Sequence, residues 1–454
     1  MDVSMLMHVS ERMLNGGKYG IDIFESNPPM ILYIYAIPVL AAKWVSTTFM
    51  VTCRVFIYLW IIVSLFLSYQ SIEKISKKMP VYKSCILLPA TAWILLLPGV
   101  SFAQREHIML ILIMPYIYLS MASLYGISMH RVFIFIAAIM AGIGFCIKPH
   151  FFIPFFIFLL YRRKITIDNM IVISMTILYF LNIVIFYPGY FTKILPLVFE
   201  YYYPYFDTHI AWSNIGIKFS LMILMIYGIS FYFIKNHKLE NVFAIYAIGF
   251  IVVYVLQKSN WGYHLYPAIA FVTLLVVQMV YRYVEISLKA SYPWMSIFII
   301  LFVSLFLLKD PIKYYYLINN EALHFKQQNE FKIIEHLSQL KNVKSVYFLS
   351  NNPSPYPAID YLNLKDVQLI QCYWFFPGMY MMHHSKSQAD LNDFRNLIVN
   401  DIMLKKPDVI VISDRLFPGS DKNFSLEFFL NNFISKYKKI AQYDELIIWS
   451  RVIS

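Results

Sequence analysis

Residues 108–125 read Ile-Met-Leu-Ile-Leu-Ile-Met-Pro-Tyr-Ile-Tyr-Leu-Ser-Met-Ala-Ser-Leu-Tyr, eighteen positions without a charge, directly behind the polar run Gln104-Arg105-Glu106-His107. A bilayer core of about 30 Å takes roughly 20 apolar helical residues, and lipid tolerates no unsatisfied backbone. The stretch therefore predicts a membrane-crossing helix with ionisable residues at its mouth. The pattern recurs on both sides of it. Spans are expected near 50–70, 84–100, 108–125, 132–147, 150–161, 167–187, 215–234, 240–257, 264–281 and 292–308, about ten in all. The fifth is short and pairs with the fourth through Lys148-Pro149-His150. Pro29 to Val45 is apolar but interrupted by Pro38 and Lys43, and reads as a juxtamembrane helix lying at the interface.

Composition agrees with a membrane protein. The 454 residues are 59% hydrophobic and 14% charged, with a mean hydropathy of +0.59, too apolar for a chain that must cover itself with polar groups. Cys53, Cys85, Cys146 and Cys372 are scattered, with neither a disulfide framework nor paired metal-ligand spacing, and read as packing residues. The net charge of +12 could suggest nucleic acid, but its Lys and Arg sit mostly in short loops between apolar runs, where orientation bias explains them, so nucleic acid is excluded. The polar N-terminus, Met1 to Gly17, does not read as a cleavable signal.

Loop charge sets the expected orientation. One set of alternate loops carries Lys74, Lys77, Lys78, Lys83, Arg131, Arg162, Arg163, Lys164, Lys235, Lys238, Arg282 and Lys289, twelve cations, against four in the opposite set, Arg105, Lys148, Lys193 and Lys258. The first set is cytoplasmic by the positive-inside rule. Residues 1–49 are then an outer-face loop with juxtamembrane helices, 50–308 the helical bundle, and 309–454 a soluble extracytoplasmic domain. Richness in Ile, Lys, Asn, Tyr and Phe points to an AT-rich bacterial genome, so the expected location is the bacterial cytoplasmic (inner) membrane.

The tail has ordinary charge density. Lys344 to Ser350, Val367 to Gln371, Asp408 to Ser413 and Glu445 to Trp449 read as buried strands, alternating with helices at 327–340 and 388–405, which predicts a small α/β layer with a mostly parallel sheet. It holds no phosphate-binding Gly loop, nucleophile elbow or paired carboxylate motif.

Polar residues gathered at one membrane face carry the functional signal. They form four clusters, all on the expected outer face. The first is Asp2, Glu11, Asp22, Glu25 and Asn27 around Asn15-Gly16-Gly17, ending in Asn27-Pro28-Pro29. Segment 3–14 places Val3, Leu6, Val9, Met13 and Leu14 on one helical face, suited to lying on the membrane with its acids over the span mouths. The second is Gln104-Arg105-Glu106-His107, with Glu106 near a helix N-terminus that favours anions. The third is Lys148-Pro149-His150, whose lysine costs roughly 2.5–3.5 kcal/mol at a helix centre and so belongs at a mouth or facing an anion. The fourth runs from Lys258 through Trp261-Gly262-Tyr263-His264 to Pro267. Tyr201, Tyr202, Tyr203, Tyr205 and Trp212 read as an interfacial aromatic belt, with Asp207 and His209 as weaker site candidates.

The order Asp2, Gly16-Gly17, Tyr19, Asp22, Asn27-Pro28-Pro29 resembles the first outer loop of the GT-C class of polyprenyl-phosphate-sugar-dependent glycosyltransferases, in the branch of protein O-mannosyltransferases and lipid A aminoarabinose transferases. Gln104 to His107, Lys148-Pro149 and Trp261 to His264 fall where the resemblance puts them, so it covers residues 2 to about 308. It implies a GT-C-like helical bundle, a sugar donor on a polyprenyl phosphate, an acceptor of unspecified identity and an inverting displacement at the anomeric carbon. In that family an initial span precedes the loop, whereas this chain starts at the loop, so a first span is expected to be missing.

The resemblance casts Asp2 as the base for the acceptor hydroxyl, against a frayed N-terminal acid. Glu106 would be the second acid, steering the acceptor or holding a divalent cation near the phosphate, against a helix-capping ion pair with Arg105. Arg105, Lys148 and His264 would bind the donor phosphate, against snorkelling or anchoring. Asp22, Glu25, Asn27, His107 and His150 are loop-shaping or substrate residues. The rival readings are an inactive truncated homologue or scaffold, and a lipid or small-molecule transporter, although no internal repeat supports the latter.

Overall fold

The computed structural model describes residues 2–78, 84–205, 214–233, 238–258, 261–289, 329–340, 343–350, 356–381, 385–413, 436–443 and 446–452. The expected span at 292–308 and the candidates Asp207, His209 and Trp212 lie outside them. The chain divides into two compact units. A helical unit comprises Arg54–Leu181 and Asp207–Ile318, and a mixed unit comprises Met1–Cys53, Asn182–Phe206 and Asn319–Ser454.

The apolar runs become helices because nothing inside them breaks the hydrogen-bond ladder for long. They are α3 (Phe49–Lys78), α4 (Ser84–Leu96), α5 (Arg105–Leu124), α6 (Arg131–Cys146), α7 (Phe152–Arg162), α8 (Ile167–Phe186), α9 (Ile215–Phe233), α10 (Lys238–Gln257) and α11 (Gly262–Lys289). Five described helices are long and apolar enough to cross a membrane: α3, α5, α8, α10 and Gly262–Val284 of α11. Five further apolar helices, among them α4, α6 and α9, are shorter than 18 residues by the same measure. The expected fifth span is one of these: Pro149–Phe151 is a 3-10 turn and α7 has 11 residues, about 17 Å of helix.

Helix α5 is the axis of the helical unit. It is apolar all round and buried along almost its whole length, packing on α6, α10, α11 and α4. The burial of α8 is the opposite, with 17% of its apolar window inside the protein and Ile177, Leu178, Phe180 and Leu181 exposed. Exposed aliphatic and aromatic rows on helices of this length mark a membrane-embedded protein. Close packing within the unit uses glycine where backbones meet: a Cβ on Gly249 of α10 would lie 2.6 Å from Pro154 Cα of α7.

Buried polar layers cap this unit at both ends. At one end Arg162 donates to Asp168 and Asn169, each at 3.2 Å, and to Ser123 Oγ at 2.5 Å, while Arg282 pairs with Glu240 at 2.7 Å. At the other end lie Glu106 and its partners. Glu106 and Ser123 are seventeen residues apart on α5, a rise of about 26 Å that approaches the hydrocarbon thickness of a bilayer.

In the mixed unit α1 (Asp2–Leu14) packs on α2 (Met30–Val45) and on a tail helix. Its contacts are wider than one amphipathic face: Met5 and Met7 are buried with Val3, Leu6 and Val9, whereas Leu14 is exposed. The expected membrane-facing stripe is therefore a protein-packing surface within this unit. Two of the belt tyrosines, Tyr201 and Tyr202, likewise pack within the unit, whereas Tyr205 is exposed. Residues 190–205 form an irregular helix with two π-type turns, in which Tyr201 is buried with its hydroxyl on Asp390, and the Tyr202 ring sits edge-on to Trp374.

The tail contains α12 (Asn329–Gln339), β1 (Ser345–Leu349), α13 (Tyr356–Leu362), β2 (Lys365–Asp366), α14 (Phe376–Met381), α15 (Ser385–Lys405), β3 (Val409–Ser413), β4 (Tyr437–Tyr443) and β5 (Leu446–Arg451). The sheet order is β2-β1-β3-β5-β4. The β2, β1 and β3 pairs are parallel, with Val346 opposite Val409, but β5 joins β3 and β4 antiparallel, so the sheet is mixed rather than mostly parallel. Strand pairing at β2 stops after two residues because side chains take over its backbone partners. Gln368 Oε1 accepts from Phe348 N at 2.7 Å and Asp401 accepts from Leu369 N at 3.0 Å, so Val367 to Gln371 does not continue as a strand.

Candidate functional site

Four chain ends of the helical unit deliver one polar cluster. Gln104, extended at ψ 160°, is the residue before α5, which places Glu106 in the first turn. Pro149 disfavours helix at the residue before it, and Lys148 is extended (φ −138°, ψ 137°), carrying its side chain off the end of α6. Gln257 ends α10 and His264 lies in the first turn of α11.

The four side chains meet. Lys148 Nζ donates to Glu106 Oε1 at 2.6 Å and to Gln257 Oε1 at 3.1 Å, and lies 3.3 Å from His264 Nε2. An ammonium only donates, so His264 Nε2 is the acceptor and Nδ1 carries the imidazole proton. Glu106 Oε1 lies 3.6 Å from the same His264 nitrogen. All four residues are buried, Glu106 completely. Ion pairs taken out of water hold only when short and fully hydrogen-bonded, which is the geometry of Lys148 with its three acceptors. The carboxylate is less complete: Glu106 Oε2 is buried and has no hydrogen-bond partner among the described residues, nor has His150 Nε2. Arg105 borders the cluster, with Nη2 3.5 Å from Tyr263 Oη.

Glu106 thus pairs with Lys148 from the extended residue after α6, the partner that the capping alternative did not foresee. His107 is occupied locally. Its Nδ1 accepts from Ala103 N at 3.1 Å and its Nε2 donates to Leu95 O at 2.8 Å, so the neutral ring ties the 97–104 turn to the start of α5. Asp2, Asp22, Glu25 and Asn27 belong to the mixed unit. Asp2 opens α1. Asp22 accepts from Lys18 N at 2.9 Å, and Glu25 accepts from the Asn27 backbone and side-chain amides at 3.1 and 2.5 Å, so these residues shape the loop. Gln257 and Tyr263 are the members that sequence reasoning did not single out. A lone Gln ending an apolar run reads as a helix terminus, and only its approach to Lys148 distinguishes it.

At Glu106 the Lys148 ammonium occupies Oε1, which leaves Oε2 alone for any cation. Among the described residues no group of three or more His, Cys, Asp or Glu is arranged to hold a metal ion. Compared with known proteins, the chain matches no family model and no curated protein.

Proposed function

We propose that this chain is a membrane glycosyltransferase that moves a sugar from a polyprenyl-phosphate carrier to a hydroxyl acceptor on a lipid, glycan or protein. The observation that carries the reading is the buried Glu106–Lys148–Gln257–His264 cluster at one end of an apolar bundle, with one carboxylate oxygen left open. Ionisable groups buried at a helix end in apolar surroundings are costly, and a site that handles an anionic lipid headgroup gives them a use. In this reading the bundle has about ten crossings and the cluster and the tail lie on the extracytoplasmic face of a bacterial inner membrane.

The transfer forms a bond from the acceptor oxygen to the anomeric carbon as the bond from that carbon to the carrier phosphate breaks, the electron pair leaving with the phosphate. Asp2 takes the acceptor proton. Arg105 offsets the charge on the departing phosphate, and Lys148 does so by exchanging Gln257 or His264 for a phosphate oxygen. Glu106 holds Lys148 and His264 in register.

The test is reconstitution of the chain in vesicles with polyprenyl-phosphate sugars, followed by detection of transferred sugar. Asp2→Asn should abolish transfer, and Glu106→Gln should reduce it by about 10²-fold or more. Transfer that survives Asp2→Asn removes Asp2 from the base role. Transfer from no donor favours the scaffold or transporter readings.

A further inference from the structure

The mixed unit contains a cavity of about 1390 Å³ walled by α1, the turn after it, the end of α2 and the tail. This exceeds the 300–1,000 Å³ of a typical small-molecule site and suits several linked sugar rings. Three of its four acids are held in ion pairs, and the fourth, Asp22, accepts from Lys18 N at 2.9 Å. Glu11 pairs with Lys43 at 2.8 Å and His8 at 3.9 Å, Asp360 with His8 at 3.1 Å and with Ser4, and Asp366 with Arg12 at 3.6 Å. Lys405 is taken by Asp401 at 2.9 Å.

Two lining cations remain. The side chains of Lys344 and Lys365 form no ion pair among the described residues; their backbones meet where Lys365 N donates to Lys344 O at 2.8 Å, with Lys365 in register with Ser345, and Lys344 N donates to Asp408 Oδ2 at 3.0 Å. An ammonium without a carboxylate partner is available to an anion. The rest of the wall suits sugar. Asn15, Thr47 and Thr48 offer hydroxyls and an amide, and Tyr361 lines the cavity while 65% exposed, an aromatic face left in water. Aromatic rings beside polar donors bind the apolar and hydroxylated faces of a saccharide together.

We propose that this cavity binds an anionic saccharide, one bearing phosphate or carboxylate groups, through Lys344, Lys365 and Tyr361. The binding claim stands on the cavity alone. Its extension, that the saccharide is the transfer acceptor, rests on the glycosyltransferase reading.

The experiment measures affinity of the full chain in nanodiscs for a glycerol-phosphate-linked oligosaccharide, a hyaluronan hexasaccharide, maltohexaose, inorganic phosphate and a hexaglutamate peptide. At least one charged saccharide should bind and maltohexaose should not. The exposed double substitution Lys344→Gln/Lys365→Gln should weaken it about tenfold, and Tyr361→Ala should weaken the saccharide without changing any phosphate binding. Inorganic phosphate or hexaglutamate binding as tightly as the saccharides, binding unchanged in the double variant, or no charged saccharide bound would overturn the proposal. Binding without transfer from any donor keeps the site and defeats the transferase reading; transfer unaffected by the double variant removes the acceptor role.

Discussion

Lys148 Nζ lies 2.6 Å from Glu106 Oε1, with side chains 3% and 0% exposed, so the two charges hold each other inside the helical unit. Neither has water to fall back on.

Removing one partner strands the other. Lys148→Met is expected to destabilise the chain by about 3–5 kcal/mol, and Lys148→Met/Glu106→Gln to recover much of that loss. Unfolding in a detergent titration reads both. A neutral effect of Lys148→Met would show that the pair is not coupled.

The mixed unit should weaken on the alkaline side. Burial alone would push the His8 imidazole down, but its hydrogen bond to Asp360 and the Glu11 carboxylate 3.9 Å away outweigh that and hold it at about 9, against an ordinary value of 6.5. A raised group contributes fully below its unfolded value and loses that contribution as pH rises through the folded one. Melting temperature should therefore be level up to about 6.5 as far as His8 is concerned and fall between there and about 9. In His8→Gln that fall should be smaller; an identical curve would exclude His8 as its source. Glu11 acts at the other extreme. The neighbouring His8 first, then Lys43, hold it down at about 2 against burial, so its contribution is lost only as pH falls from about 4.5 toward that value.

Gly378 of α14 has its backbone against Tyr201: a Cβ there would lie 1.9 Å from the Tyr201 carbonyl oxygen. Backbone cannot yield as a side-chain tip does. Gly378→Ala should cost about 1–3 kcal/mol, visible as a lower melting temperature and faster proteolysis of the tail. Wild-type stability would mean that the two segments part easily.

Gln368 replaces a strand's hydrogen bonds with its own. It accepts from Phe348 N and donates to the Tyr356 hydroxyl while fully buried. Gln368→Leu leaves the Phe348 amide unpaired and the Tyr356 hydroxyl with only its 3.4 Å bond to Asp366, and should cost about 1–3 kcal/mol, whereas Gln368→Glu keeps the acceptor for Phe348. Hydrogen exchange at the Phe348 amide separates the two variants: it should accelerate in the leucine variant.

This last residue also marks how far the sequence could be read. Spans such as 167–187 and 215–234 agree with α8 and α9 to within a residue at each end, because an apolar run bounded by charge leaves a helix few alternatives. Segment 367–371 has the apolar composition of a strand, yet the side chains of Asp366 and Asp401 take its amides and that of Gln368 takes the Phe348 amide across from it. Strand β4 went unread for the converse reason: Lys438, Lys439 and Gln442 suit a sheet edge and mask its strand character. In the cluster, Glu106, Lys148 and His264 were legible as charges misplaced beside lipid. Gln257 is neutral, and nothing local sets it apart. The pairing of α1 with the tail was invisible, because it joins residues with no sequence neighbourhood in common.

That pairing orders events during synthesis. Arg12 donates to the carbonyls of Leu369 and Gln368, the former at 2.8 Å and 357 residues downstream. At about 5–20 residues per second a ribosome needs roughly twenty to seventy seconds to deliver those acceptors. For that interval the guanidinium and the apolar side of α1 must be held by headgroups, water or a chaperone. Helix α1 waits for partners made hundreds of residues later, and a ribosome stalled before the tail would leave that helix without its destination.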